Sequence, residues 1–197
     1  MALTGPLLLY LFIQSITPGP NNLTCLYLGA RGGLAGARRF ITASMLSLFV
    51  KAVLCGALNL FLAKHLPSVM NVLKWVGAAF MLYLAWKMAV SGWKEEEGSD
   101  NTSFGAGFRD GVMLQLLNIK SWIVSVSMFA VYVIPIRSDF PTVLLVSAVF
   151  VVFAAACSVI WALFGSALRG FISKYRKPFG IVMGLSLVYC AVSAVLP

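Results

Sequence analysis

Acidic side chains are scarce in this sequence: six Asp and Glu stand against fifteen Lys and Arg, with a single His, in 197 residues. Only 11% of the residues are charged, where an ordinary soluble domain has about a quarter. Too little polar surface remains to clothe a water-facing sphere, which excludes a soluble enzyme with one large extramembrane domain. No Asp or Glu lies deep in any apolar run; Asp110 and Asp139 fall near segment ends. A sodium- or metal-coupled site built on carboxylates is thereby disfavoured. His65, beside Lys64, has no second ligand at metal spacing and reads as a surface residue. There is no Ser/His/Asp set, HExxH or phosphate loop, so enzyme chemistry has no visible apparatus and no cofactor is called for. The four cysteines (Cys25, Cys55, Cys157, Cys190) are far apart inside apolar runs and read as small buried thiols. The opening MALTGPLLLYLFIQSITPGP lacks a basic n-region and an A-x-A site, so it is expected to stay as the first span.

What the chain has in quantity is apolar residues, 60% of the total, with a mean hydropathy of +0.93. At roughly 20 residues per membrane helix, that is enough for about six spans, more than a single anchor needs. Apolar segments fall at 3–28, 40–63, 69–90, 108–136, 140–165 and 178–196, and the polar stretch KEEEGSDNTS at 94–103 parts them three and three. The expected organisation is a 1–93 three-helix unit, a 94–103 connector and a 104–197 three-helix unit in one membrane domain. The net charge of +9 would suggest nucleic acid in a soluble protein. No aromatic-basic motif accompanies it, so the expected partner is the lipid bilayer and not nucleic acid. Connections one, three and five hold ten positive residues (Arg31, Arg38, Arg39, Lys87, Lys94, Arg109, Arg169, Lys174, Arg176, Lys177). Connections two and four hold three (Lys64, Lys74, Arg137). Cytoplasmic loops collect Lys and Arg, so six spans with both chain ends outside are predicted.

Two of the apolar segments are interrupted. In the first, Gln14-Ser15-Ile16-Thr17-Pro18-Gly19-Pro20-Asn21-Asn22 places two prolines, a glycine and two asparagines in five consecutive positions. The prolines remove backbone donors, and each pushes its predecessor out of helical geometry. The helix is predicted to open here and restart near Asn21. Open backbone survives in lipid only where protein or water lines it. The fourth segment carries Asn118-Ile119-Lys120 after FRDGVMLQLL, a hundred residues after Pro18. It is either one broken helix or a re-entrant half-helix followed by a span. Interrupted segments at matching places in two halves point to a 3+3 inverted repeat with a midplane site.

The second span carries a polar stripe, Ser44, Ser47, Lys51, Cys55 and Asn59, within an arc of about 120° on one helix face. A charge at the depth of Lys51 costs roughly 2.5–3.5 kcal/mol and is expected to face the bundle interior or a wet cavity. A proton relay in this chain is restricted to Lys51, Lys120, Asp110, hydroxyls, thiols and water. Gly180 and Gly184 in the last span, with Gly29, Gly33 and Gly36 after the first, read as sites of close helix approach.

At TPGPNN (17–22) the sequence resembles the lysine exporter superfamily, in its homoserine/threonine (RhtB-type) branch. The likeness continues through ARGGLAGARR (30–39), WVGAAFMLYLAWK (75–87) and FRDGVMLQLLNIK (108–120), and so covers nearly the whole chain. The tail YRKPFGIVMGLSLVYCAV (175–192) and the paired asparagines after PGP are most similar to the cysteine/O-acetylserine exporters. The resemblance implies a small bacterial inner-membrane exporter of amino acids driven by the proton gradient. It departs from that pattern at Asn118-Ile119-Lys120, where Asn-Pro-Lys is common, at Ala43, Ser44 and Ser47, where glycines are frequent, and at Lys51.

The expected function is therefore export of a small neutral amino acid of the cysteine/O-acetylserine kind by proton antiport. A homoserine/threonine or other amino-acid exporter of the same family, a channel and a non-transporting membrane subunit remain as alternatives, and a homo-oligomer stays open. The expected substrate site comprises Thr17, Pro18, Gly19, Pro20, Asn21, Asn22, Asn118 and Lys120. The helix start near Asn21 offers N–H groups to a carboxylate. Opened carbonyls near Thr17 and Pro18, with Asn22 or Asn118, offer acceptors to an ammonium. Lys51 and Lys120 balance the carboxylate or carry the proton, and Ser47, Cys55, Asn59 and Asp110 are pathway candidates.

Overall fold

Thr4 starts the first helix, α1 (Gly5–Ile16), its hydroxyl accepting from the Leu7 N–H at 3.4 Å. The computed structural model describes residues 4–91, 107–137 and 139–195, with the side chains at 60–71, 73, 91, 173 and 176 outside that description. The polar connector at 94–103, with Lys94, and the side chains of Lys64 and His65 therefore lie outside the described residues. After α1 come α2 (Pro20–Ala57), α3 (Asn59–Ser91), α4 (Phe108–Leu117) and α5 (Ile119–Ser127). A π-helical turn (Met128–Val133) follows, then α6 (Phe140–Ala167), α7 (Arg169–Lys174) and α8 (Arg176–Val195). Among the described residues every regular element is helical.

Three described helices are long and apolar enough to cross a membrane: Pro20–Ala57, Phe140–Ala167 and Lys177–Val195. Phe108–Leu117 and Ile119–Val133, bent by 59° at their junction, make a fourth when counted together. The exterior is apolar, with Val152, Trp75 and Val72 each about two-thirds exposed. Such a surface is expected of a chain whose solvent is hydrocarbon.

α2 is the central helix. In its apolar window 56% of the residues are buried, against 33% in α6 and 28% in α8. It is not one straight rod. Gly33 has φ +63° and ψ −165°, left-handed backbone that favours glycine, and it kinks the helix. The sequence leads one to expect an irregular loop between 28 and 40; the chain instead stays helical on both sides of that single residue. The next connection also differs. Leu58 (φ −112°, ψ 23°) separates α2 from α3, while 64–68, expected as the turn, is helical. Backbone at membrane depth gains more from internal hydrogen bonds than from a loop.

The α2–α6 crossing is held by two glycines used reciprocally. A β-carbon on Gly29 would lie 2.0 Å from the Ala162 carbonyl oxygen, and one on Gly165 would lie 2.0 Å from the Leu26 carbonyl oxygen. α8 approaches α3 more loosely: a β-carbon on Gly180 or Gly184 would lie 3.0 Å from the Met88 or Ala85 carbonyl oxygen. Tyr27 joins these layers: its hydroxyl donates to the Met88 carbonyl, accepts from Arg31 and its ring stacks on Phe179 at 5.9 Å. Asp139 caps α6 by accepting from the Thr142 N–H at 3.1 Å.

Candidate functional site

The first break occupies three residues. α1 stops at Ile16, Thr17 is extended (φ −60°, ψ 140°), and Gly19 (φ −168°, ψ 174°) precedes the restart at Pro20. Asn22 spans the gap: its Nδ2 donates to the Ser15 carbonyl at 2.8 Å and the Thr17 carbonyl at 3.0 Å. Those carbonyls, expected from the sequence as open acceptors, are thus already engaged. The Thr17 hydroxyl turns back onto the Ile13 and Gln14 carbonyls. α6 serves the remainder: Trp161 Nε1 donates to the Ile16 carbonyl at 3.1 Å, and Asn21 Nδ2 donates to the Ser158 hydroxyl at 3.0 Å.

The second break is one residue wide, at Asn118 (φ −80°, ψ 100°). Two of its freed carbonyls are bonded too. Lys51 Nζ, 1% exposed, donates to the Gln115 carbonyl at 2.8 Å and to the Ser121 hydroxyl. Trp122 Nε1 donates to the Leu116 carbonyl at 2.7 Å. A cation on the last carbonyls of α4 is favoured by the helix dipole, and the Trp122 ring lies 5.4 Å from the ammonium. The rest of the stripe follows suit: Ser44 bonds the Gly111 carbonyl, and Asn59 bonds that of Val126. Ser47 turns back to the Ala43 carbonyl of its own helix, and Cys55 is buried. None of these five lines the two cavities described below. Asp110 stands apart at the start of α4, where it accepts from the Gly107 N–H and pairs with Lys87 at 3.2 Å.

The two breaks meet. Lys120, from the second, donates to the Thr17 hydroxyl of the first at 2.6 Å, across 103 residues of sequence. Around this contact is a central cavity of about 60 Å³, whose walls include Ser15, Asn21, Asn22, Asn118, Lys120 and Ser158. By helix geometry the N–H groups of Asn21 and Asn22, in the first turn of α2, have no intrahelical acceptor. Two buried atoms on the cavity wall, Ser15 Oγ and Asn21 Oδ1, have no hydrogen-bond partner among the described residues. Buried polar atoms are nearly always bonded, and leaving one unmet costs about 1–3 kcal/mol. The cavity therefore brings together a cation, helix N–H groups and unmet acceptors. Pro18 and Pro20 face a second cavity with Gly19 and Lys120. The sequence reading missed Ser15, Gln115, Ser121, Ser158 and Trp161, all polar-headed residues inside apolar runs, which was their only signal.

Residues 12–196 match the family described as LysE type translocator. The chain belongs to that family. Curated relatives of this translocator include the cysteine/O-acetylserine efflux proteins of Escherichia coli (strain K12), Escherichia coli O9:H4 (strain HS) and Shigella flexneri. Each is 32% identical over 184 residues, 93% of this chain and 92% of the relative. No solved structure matches the translocator. Among its described residues no cluster of His, Cys, Asp and Glu could hold a metal ion.

Proposed function

We propose that this translocator exports a small neutral amino acid, of the cysteine/O-acetylserine kind, from the cytoplasm across the bacterial inner membrane in exchange for protons. The observation that carries the reading is the Lys120–Thr17 contact between the two breaks, in one cavity with the unmet acceptors Ser15 Oγ and Asn21 Oδ1. In this reading Lys120 and the first N–H groups of α2 hold the substrate carboxylate, while Asn21 and Ser15 accept from its ammonium. Asn118 and Gly19 shape the wall between them. A lining without Asp or Glu suits a zwitterion better than a dication. The relatives named for cysteine and O-acetylserine efflux support that choice of cargo.

The same reading has six spans in a 3+3 inverted arrangement, with both chain ends outside. Support comes from reciprocity: α6 bonds the groups of the first break through Trp161 and Ser158, and α2 bonds those of the second through Lys51. Lys51 acts here as a fixed clamp on α4, and Asp110 as a helix cap. That leaves Lys120 as the cation free to change partners.

The test is export from cells loaded with cysteine precursors, comparing the chain with Lys120→Ala and following cysteine in the medium. A clear excess for the unaltered chain supports the reading, and equal levels overturn it. Reconstituted vesicles with and without an imposed pH gradient test the coupling. Uptake that saturates and follows the gradient is expected; flux indifferent to it identifies a channel.

A further inference from the structure

Lys120 stands on the boundary of two cavities. Beyond the central one lies a second of about 390 Å³, between α1, α5 and the last turns of α8, with Tyr10, Ile123, Cys190 and Ser193 on its walls. Gln14, Gly19, Asn118, Lys120 and Val124 line both. The partition is thin. A β-carbon on Gly19 would touch Lys120 Cδ and Nζ at 3.8 Å, and the ammonium is tied across the gap to Thr17 by one hydrogen bond of 2.6 Å. Small-ligand pockets run to roughly 300–1,000 Å³. The outer cavity falls in that range and the 60 Å³ central one falls short of it.

We propose that the Lys120–Thr17 bond is the closed gate between the central site and an exit vestibule, and that the vestibule is a second binding site for the same zwitterion. The proposal rests on the export reading above. A carboxylate is a stronger acceptor for an ammonium than a hydroxyl is, because both partners are then charged. A substrate that takes Lys120 from Thr17 therefore removes the one bond across the gate. Its carboxylate stays on Lys120 while the remainder of the molecule passes to the other side. The vestibule's apolar and soft groups, Ile123, Tyr10 and the Cys190 thiol, suit a short apolar or sulfur-bearing side chain, and the Ser193 hydroxyl can accept from the ammonium. The vestibule's walls run from the first break back to Tyr10, midway along α1, and on to Ser193 and Ala194 in the last turn of α8, so in the orientation proposed above it lies on the outer side of the break.

Thiol accessibility tests the gate independently of transport. Of the four cysteines, Cys25, Cys55 and Cys157 are buried and Cys190 is partly exposed. A membrane-impermeant methanethiosulfonate reagent should label Cys190 from one side only, and whole cells against inside-out vesicles tell which. In a Cys190→Ser background, Ala154→Cys on α6 or Met45→Cys on α2 reports on the central cavity. From the vestibule side these reporters should react slowly with Thr17 present. Thr17→Val should speed them by about tenfold or more, the weight of one hydrogen bond to a charged group. Serine, a zwitterion, should also speed them, while ethanolamine, which lacks the carboxylate, should not. Fast reporters with Thr17 in place, rates unmoved by Thr17→Val, or equal effects of serine and ethanolamine overturn the gate. Export is measured in parallel on the unaltered chain. Intact export with an unresponsive reporter rejects the gate alone, and a responsive reporter without amino-acid export rejects the export reading alone.

Discussion

Replacing Gly165 by Ala forces α2 and α6 apart at their tightest point. The new β-carbon would lie 2.0 Å from the Leu26 carbonyl oxygen, where ordinary contact begins at 3.4 Å, so the helices must separate by 1.4 Å (3.4 − 2.0). Both neighbours are helical backbone and cannot turn aside as a flexible side chain does. A gap of 0.5–1 Å already forfeits about a quarter to a half of a dispersion contact, and overpacking of this kind costs about 1–3 kcal/mol. A cost near 2 kcal/mol lowers the melting temperature of a chain this size by about 4–8 °C. Gly29→Ala meets the Ala162 carbonyl at the same 2.0 Å and should cost as much. The double variant discriminates. Once one substitution has parted the helices the second finds room, so the two costs should add to well below their sum, by about 1 kcal/mol or more. Export should fall with either variant, because a 1.4 Å separation exceeds what the 3.0 Å Asn21–Ser158 bond tolerates. Thermal unfolding in detergent reads the stability term, with Gly32→Ala, which meets nothing within 4 Å, as control. Additive costs, or a Gly165→Ala protein as stable as the control, refute the reasoning.

Three further outcomes follow from single residues. Asn22→Asp keeps the shape but loses the amide donor to the Ser15 and Thr17 carbonyls; it should destabilise by about 2 kcal/mol or more, nearly as much as Asn22→Leu, in the same thermal assay. Gly33→Ala, at φ +63° and ψ −165°, should cost about 1–3 kcal/mol, whereas Gly32→Ala should be neutral or gain up to about 1 kcal/mol. Lys51→Met gives up two hydrogen bonds from a charge, about 1.5–3 kcal/mol each, and recovers about 2.5–3.5 kcal/mol of burial cost, for a net loss of roughly 0–3 kcal/mol. Lys51→Ala should be worse by about 2 kcal/mol through the void it leaves. Melting temperatures that rank Ala above Met contradict that account.

Both interruptions were legible in the sequence because proline and glycine act locally. Pro18, Gly19 and Pro20 leave the backbone no helical option, and Asn118-Ile119-Lys120 marked a second site where the helix does bend, by 59°. The roles around them were not legible, since a role depends on which segments meet. Asn22 reads equally well as a ligand or as a staple, and only the position of the Ser15 and Thr17 carbonyls makes it a staple. The stripe from Ser44 to Asn59 showed a common face but not its neighbour, which is the backbone of α4 and α5. Gly165 carried no periodic signal, and its importance comes from Leu26 on another helix. The turn at Gly33 escaped because arginines and glycines between apolar runs suggest an irregular loop, while one left-handed residue suffices.

The reciprocal stitching of the breaks has a consequence for biogenesis. Ile16 waits for Trp161, 145 positions later, and Asn21 for Ser158, 137 later. A ribosome that has delivered only the leading half leaves the Ile16 carbonyl without its Trp161 donor, so water or the insertion machinery must serve it until α6 emerges. Separately expressed halves should then be poor substrates for stable insertion and ready targets for membrane proteolysis, and co-expression should rescue them.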